Sequence, residues 1–155
     1  MLAELQLGVM EAKNGKPMPS AARRTVKQSL ENGFGRGMRE RNPRQVLVAY
    51  TEFVPIGLIT QTRQNDTLVT DAIYAHHIGN YRAGSALFRE TCLVDASKVL
   101  IKLPLPDAMP KYERWGLTYC TDRKNYGSME IFGQNLQDWR KCCHGNYPRF
   151  ETPKP

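Results

Sequence analysis

The stretch TLVTDAIYAHHIGNYRAGSALFRETCLVDASKVLIKL, residues 67–103, decides the fold. Leu68, Val69, Ile73 and Tyr74 mark a strand over Thr67–Ala75. Gly79 and Gly84 then bracket a short loop, and Ser85–Ala96 turns helical in composition. Val99–Leu103 is aliphatic and β-branched again, a second strand closed by Pro104 and Pro106. Two strands joined through a crossover helix imply a parallel pair.

Working outward, Gln45–Glu52 and Ile56–Arg63 read as strands, with turns at Val54-Pro55 and Gln64-Asn65-Asp66. With Thr67–Ala75 they form an antiparallel meander. Ahead of them, residues 2–12 carry Leu2, Leu5, Val9 and Ala12 at helical spacing, and Asn14-Gly15-Lys16-Pro17 ends that helix. A second helix is expected from Ser20 to about Asn32, before Gly33, Gly35 and Gly37 open an arginine-bearing, mobile loop to Pro43. Downstream, Asp107 starts a short helix that stops before Gly116, and Leu117–Thr121 pairs with Ser128–Phe132 as a hairpin. The fold class is α/β: one mixed, mostly antiparallel sheet flanked by helices. The expected organisation is a domain over residues 1–135 and an irregular C-terminal tail over 136–155.

The chain's 155 residues can bury a core without a disulfide or metal staple. Apolar residues at 41% and charged residues at 24% are ordinary globular values, which excludes long disorder and collagen. No apolar run approaches the roughly 20 residues of a membrane span, and no basic n-region announces a secretory signal. The 22 Lys and Arg against 15 Asp and Glu leave +7, which favours anionic partners. That excess is uneven: +5 over residues 1–44, zero over 45–135 and +2 over 136–155. Arg23, Arg24, Lys27, Arg36, Arg39, Arg41 and Arg44 are therefore either a solvated face or a docking surface for an anionic or nucleic-acid-associated partner. Cys92 and Cys120 read as small hydrophobes, and Cys142-Cys143-His144 lacks the ligand spacing of a zinc site, so no metal is expected. Nothing demands an oxidising compartment; the expected location is the cytoplasm.

The segment Ile78-Gly79-Asn80-Tyr81-Arg82-Ala83-Gly84-Ser85-Ala86-Leu87-Phe88 has a physical logic of its own. A strand feeding a glycine-bearing loop and then a helix presents backbone N–H groups at a helix N-terminus, where phosphate binds well. Gly84 removes a side chain where backbone and ligand would meet. This segment resembles the pyrophosphate loop of the Gcn5-related N-acetyltransferases (GNAT), in which Arg/Gln-x-x-Gly-x-Gly/Ala leads into a helix. Tyr112-Glu113-Arg114-Trp115-Gly116-Leu117 is similar to that family's Tyr-x-x-x-Gly-Phe. The element order ααβββαβαββ over about residues 2–135 resembles the family as well. Three departures stand out. Arg82 and Gly79 occupy the family's glycine and Arg/Gln positions, Leu117 replaces phenylalanine, and no strand precedes the first helix.

The resemblance implies an acetyltransferase that uses acetyl-coenzyme A and an amine acceptor by direct attack. It implies that Tyr81, Arg82, Ala83, Gly84 and Ser85 hold the pyrophosphate and that the strand backbone at Ile73 and Tyr74 polarises the acetyl carbonyl. Tyr112 takes the place of the family's general acid, which protonates the leaving thiolate; a phenol with a pKa near 10 is protonated at neutral pH. Asp71 is the first candidate base, and His76 or His77 is a candidate relay. The N-terminal helices and the Gly33–Pro43 loop would set the acceptor. The alternative is a non-catalytic binding or structural protein on the same fold, virus-encoded or particle-associated, with a basic docking surface. A homodimer stays open.

Overall fold

The computed structural model describes residues 2–39, 45–51, 54–75 and 82–152. Two helices lead: α1 (Leu2–Asn14) and α2 (Ser20–Arg39). The meander follows as β1 (Gln45–Thr51), β2 (Val54–Gln64) and β3 (Thr67–Ala75). Then come α3 (Ala83–Leu93), β4 (Lys98–Ile101), a 3-10 turn at Pro106–Ala108 and α4 (Met109–Arg114). The chain closes with β5 (Thr118–Tyr119), β6 (Met129–Phe132) and α5 (Gly133–Lys141).

The six strands form one sheet in the order β1-β2-β3-β4-β6-β5. Only β3 and β4 run parallel, as the crossover through α3 requires; the other pairs are antiparallel. Residues 56–62 of β2 are buried without alternation, so both of its faces are covered. α1 and α3 both pack on β2 and β3 and supply the two covers. The main core lies under α3, α4 and α5, where Phe88, Trp115 and Trp139 interlock: Phe88 stacks on Trp115 at 4.7 Å and meets Trp139 edge-on at 4.9 Å.

One irregularity sets how β3 faces its surroundings. Thr60 pairs with Ala72 and Gln61 with Thr70, so Asp71 is the extra residue of a β-bulge. A bulge reverses the in–out alternation. Leu68 and Ile73, an odd number of residues apart, both reach the main core because of it.

Two expectations need correction. The helix α2 runs on through Gly33, Gly35 and Gly37 to Arg39, so the basic loop expected from Gly33 is shorter. Glycine costs about 1 kcal/mol in a helix but does not forbid one. The remainder of that loop, residues 40–44, lies outside the described residues, as do Tyr81, His76 and His77. The segment expected to be irregular from residue 136 begins inside α5, whose Leu136 and Trp139 are buried in the core. Their i, i+3 spacing on a short polar helix was too sparse a signal to read as an apolar face.

The N-terminal cations are also more engaged than a free docking surface requires. Arg23 pairs with Glu4 at 2.7 Å and Glu11 at 3.1 Å. Lys27 pairs with Glu4 and Glu31. The contacts to Glu4 and Glu11 hold α2 on α1, and that to Glu31 lies within α2. The Arg23 and Lys27 hydrogen bonds draw the Glu4 carboxyl down to about 2.

Candidate active site

The sheet opens between its parallel strands. Pairing of β3 with β4 stops at Thr70 and Ile101, with Lys102 N donating a last bond to Thr70 O at 2.9 Å. β3 continues to Ala75, while the other chain turns away at Leu103, whose φ is +44°. The Ala72–Ala75 backbone thus keeps its β2 neighbour beyond the point where β4 pairing ends. Asp71 sits on its bulge at the apex of this opening and is half-buried. Ile73 follows on the core side, and Tyr74 is described here by its backbone only.

The N-terminus of α3 meets the far end of β3. A Cβ placed on Gly84 would lie 3.3 Å from the Ala75 Cβ and 3.6 Å from Trp115 Cη2. The missing side chain therefore serves close packing of helix on strand, whereas it had been expected to clear the way for a ligand. Among the described residues, no side chain caps α3, and its first described intrahelical bond runs from Ala86 N to Arg82 O at 3.0 Å. Arg82 itself is left-handed, with φ 49° and ψ 47°. That conformation suits glycine, the residue type the family carries here, and is unfavourable for arginine.

A cleft of about 470 Å³ opens at this helix mouth. It is lined by Arg82, Gly84 and Ser85 of the α3 start, by Lys111, Arg114 and Trp115 at α4, and by Tyr147, Pro148 and Arg149. Among the described residues, no acidic residue lines it. Arg82, Arg114 and Arg149 make no ion pair among the described residues. The donor set, backbone N–H groups and cationic side chains with no carboxylate, fits a polyphosphate. Lys111 and Arg114 escaped the sequence reading because residues 45–135 sum to zero charge, and Arg149 because it lies far away in the C-terminal segment. A segment sum cannot show that cations distant in sequence share one cleft.

Tyr112 does not line this cleft. It is buried in the main core, 5.4 Å from the Trp115 ring centre, with Lys111 Nζ 5.1 Å above each of the two rings. Burial pushes its hydroxyl up to about 12, so the phenol stays protonated throughout the physiological range. Asp71 lies on β3 and Tyr112 on α4, and Ile73 of β3 packs against the core cluster that includes Tyr112. Gly116 ends α4 with φ +88°, and a Cβ there would meet the Phe150 ring at 2.7 Å. It acts as more than a helix stop, because the C-terminal residues dock on it. Cys142 and His144 are occupied locally, Cys142 Sγ with Trp139 O at 3.1 Å and His144 Nδ1 with the Tyr147 hydroxyl at 2.9 Å.

The mixed, mostly antiparallel sheet flanked by helices matches the fold of solved acetyltransferases. Among solved structures, the chain superposes on the PaiA N-acetyltransferase of Thermoplasma acidophilum, determined in complex with coenzyme A. The TM-score is 0.57 at 12% identity, over 85% of this chain and 92% of that one. A protein from Desulfovibrio desulfuricans assigned to the GNAT family gives 0.55 at 15% identity, over 83% and 88%. An assigned acetyltransferase of Pyrococcus horikoshii gives 0.54 at 15% identity, over 76% of this chain, which spans 40% of that protein's length. By sequence alone, no family model and no curated protein matches the chain. At these identities the likeness is one of fold, and the chain is a divergent example of it.

Proposed function

We propose that this protein is an acetyl-coenzyme A-dependent N-acetyltransferase. The observation that carries the proposal is the basic cleft at the N-terminus of α3, with no acidic lining residue and no side-chain cap among the described residues, beside the opening between β3 and β4 in a GNAT fold. The N–H groups of Ala83, Gly84 and Ser85, with Arg82, would hold the diphosphate; Tyr81 joins them on the sequence reading alone. The β3 backbone at Ile73 and Tyr74 faces the opening and would polarise the acetyl carbonyl. Acetyl-coenzyme A supplies the acetyl group as an activated thioester. Asp71 would take the proton of the acceptor's ammonium through water, leaving a neutral amine. Tyr112 would hold a proton at Oη for the leaving sulfur, and its raised pKa keeps that proton in place until then. The +7 charge favours an acceptor amine carried on an anionic or nucleic-acid-associated partner. Four free cysteines suit the cytoplasm, and no described helix is long and apolar enough to cross a membrane.

A second reading, a coenzyme-binding module without turnover, is favoured by one observation: Tyr112 lies in the core and away from the cleft. Thermal melting tests the shared part. Acetyl-coenzyme A at a hundredfold excess over its dissociation constant should stabilise the fold by about 2.7 kcal/mol, a rise of roughly 5–10 °C. No shift at millimolar ligand overturns both readings. Thiol release with a panel of amines separates them, and Tyr112→Phe should lower turnover while sparing affinity. Unchanged turnover removes Tyr112 from its role.

A further inference from the structure

The C-terminal residues line two cavities of opposite character. Tyr147, Pro148 and Arg149 line the basic cleft, whereas Phe150 and Glu151 line a second pocket of about 290 Å³. Phe150 N donates to Arg114 O at 2.9 Å and the Phe150 ring lies against Gly116, which fixes the chain where it passes from one cavity to the other. The two cavities share no lining residue among the described residues, and none from β3 or β4 lines the second.

Glu113 and Glu151 bring two carboxylates to this pocket, and among the described residues no Lys, Arg or His lines it. The Tyr119 hydroxyl donates to Glu113 Oε1 at 2.9 Å, which spends the phenol's proton and orients the carboxylate. Asn135 Nδ2 donates to Gly116 O at 3.0 Å, so its amide oxygen is left to accept. Apart from the Thr118 hydroxyl, which serves either way, the polar side chains offer acceptors and negative charge. They call for a donor that is positively charged. Tyr119, Phe150 and Leu117 supply apolar wall. An aromatic face attracts a cation within about 6 Å and shelters an apolar body as well. A hard metal ion takes oxygen ligands on all sides and gains little from such walls. At roughly 30 Å³ for each water, the pocket has room for about ten non-hydrogen atoms.

We propose that this pocket binds a small organic ammonium ion, its N–H groups on Glu113 and Glu151 and its apolar body against Tyr119, Phe150 and Leu117. The site is separate from the acetyl-transfer reading and stands whether or not the chain is an acetyltransferase. Because Arg149 and Phe150 are consecutive, an occupied pocket also steadies the segment that carries Arg149 into the basic cleft.

NMR titration of the full chain at low salt tests it, with phenethylammonium chloride as the probe and phenethyl alcohol as its neutral counterpart. The ammonium should give saturable shifts at the amides of Gly116, Tyr119 and Phe150, and the alcohol should bind on the order of tenfold more weakly. The double variant Glu113→Gln/Glu151→Gln should lose that preference. Both side chains reach solvent, so it should melt with the wild type. Glu151→Lys, a change at an exposed position, gives the same readout should the double variant melt early. The absence of shifts at about ten millimolar ammonium overturns the site. So do equal affinities for ammonium and alcohol, shifts confined to other residues, or a preference that survives removal of the carboxylates.

Discussion

Replacing Arg82 by glycine should separate stability from binding. Arg82 is held at φ 49° and ψ 47°, which costs an L-residue about 1–2 kcal/mol. Glycine removes that strain but has more freedom to lose on folding, roughly 0.5–1 kcal/mol. The two effects nearly cancel, so Arg82→Gly should unfold within about 1 kcal/mol of the wild type, on the stable side. Its backbone role, the Arg82 carbonyl accepting from Ala86 N, survives the change. Binding should move the other way. A hydrogen-bonded charge contributes about 1.5–3 kcal/mol, and Arg82 is exposed, which favours the lower end, so coenzyme A should bind about tenfold more weakly. Urea unfolding followed by circular dichroism measures the first quantity and calorimetric titration the second. A variant destabilised by more than about 1 kcal/mol with unchanged affinity would refute the reasoning. The guanidinium would then be holding the loop and not a ligand.

Gly116→Ala combines a φ of +88° with a Cβ 2.7 Å from the Phe150 ring, so it should cost about 1–3 kcal/mol in urea unfolding and expose the chain after Cys142 to protease. Intact tail protection in that variant would show that Phe150 has another anchor. Arg140 donates Nε to Cys92 O at 2.7 Å and its Nη2 to Val94 O at 2.9 Å and Ala96 O at 2.6 Å, tying α5 to the end of α3. Arg140→Ala should lower stability by about 2–4 kcal/mol and Arg140→Lys by less; a urea midpoint within error of wild type would count against it. Glu4 titrates at about 2 in the fold against an ordinary value of 4.5. Its pairing with Arg23 and Lys27 therefore stabilises the fold fully above pH 4.5 and is lost as pH falls toward 2. An acid titration of helicity should lose amplitude in that window in Glu4→Gln; an identical profile would sink the assignment.

The order of elements was legible because it rests on local signals. Glycine and proline punctuation and the apolar runs at residues 45–75 and 99–103 locate the meander and the crossover. The bulge at Asp71 was not legible, since a strand's sequence does not say which residue its partner skips. Trp139 in the core was missed because α5 is short and mostly polar, so its buried side is only Leu136 and Trp139. Tyr112 and Gly84 were picked by motif, and the structure gives each a packing role that a motif cannot convey. The basic cleft was the least legible feature. Its cations come from residues 82, 111, 114 and 149, and only the tertiary fold puts them together.

That cleft also reassigns the charge of the molecule. Arg23 and Lys27, which seemed the natural docking cations, are committed to Glu4, Glu11 and Glu31. Arg82, Arg114 and Arg149, for which no ion pair is described, stand where the chain sum is zero or small, around the α3 mouth. α4 links them to the proposed chemistry. Its Lys111 and Arg114, three residues apart, line the cleft, while Tyr112 and Trp115, also three apart, are buried in the core. One short helix thus presents cleft-lining cations on one face and the candidate acid on the other. Trp115 borders the cleft, packs over Gly84 and lies 5.4 Å from Tyr112, so α4 cannot move toward a phosphate without carrying the phenol with it. On the acetyltransferase reading, binding at the phosphate end therefore sets the position of the proton donor, and loosening Trp115 should disturb turnover more than affinity.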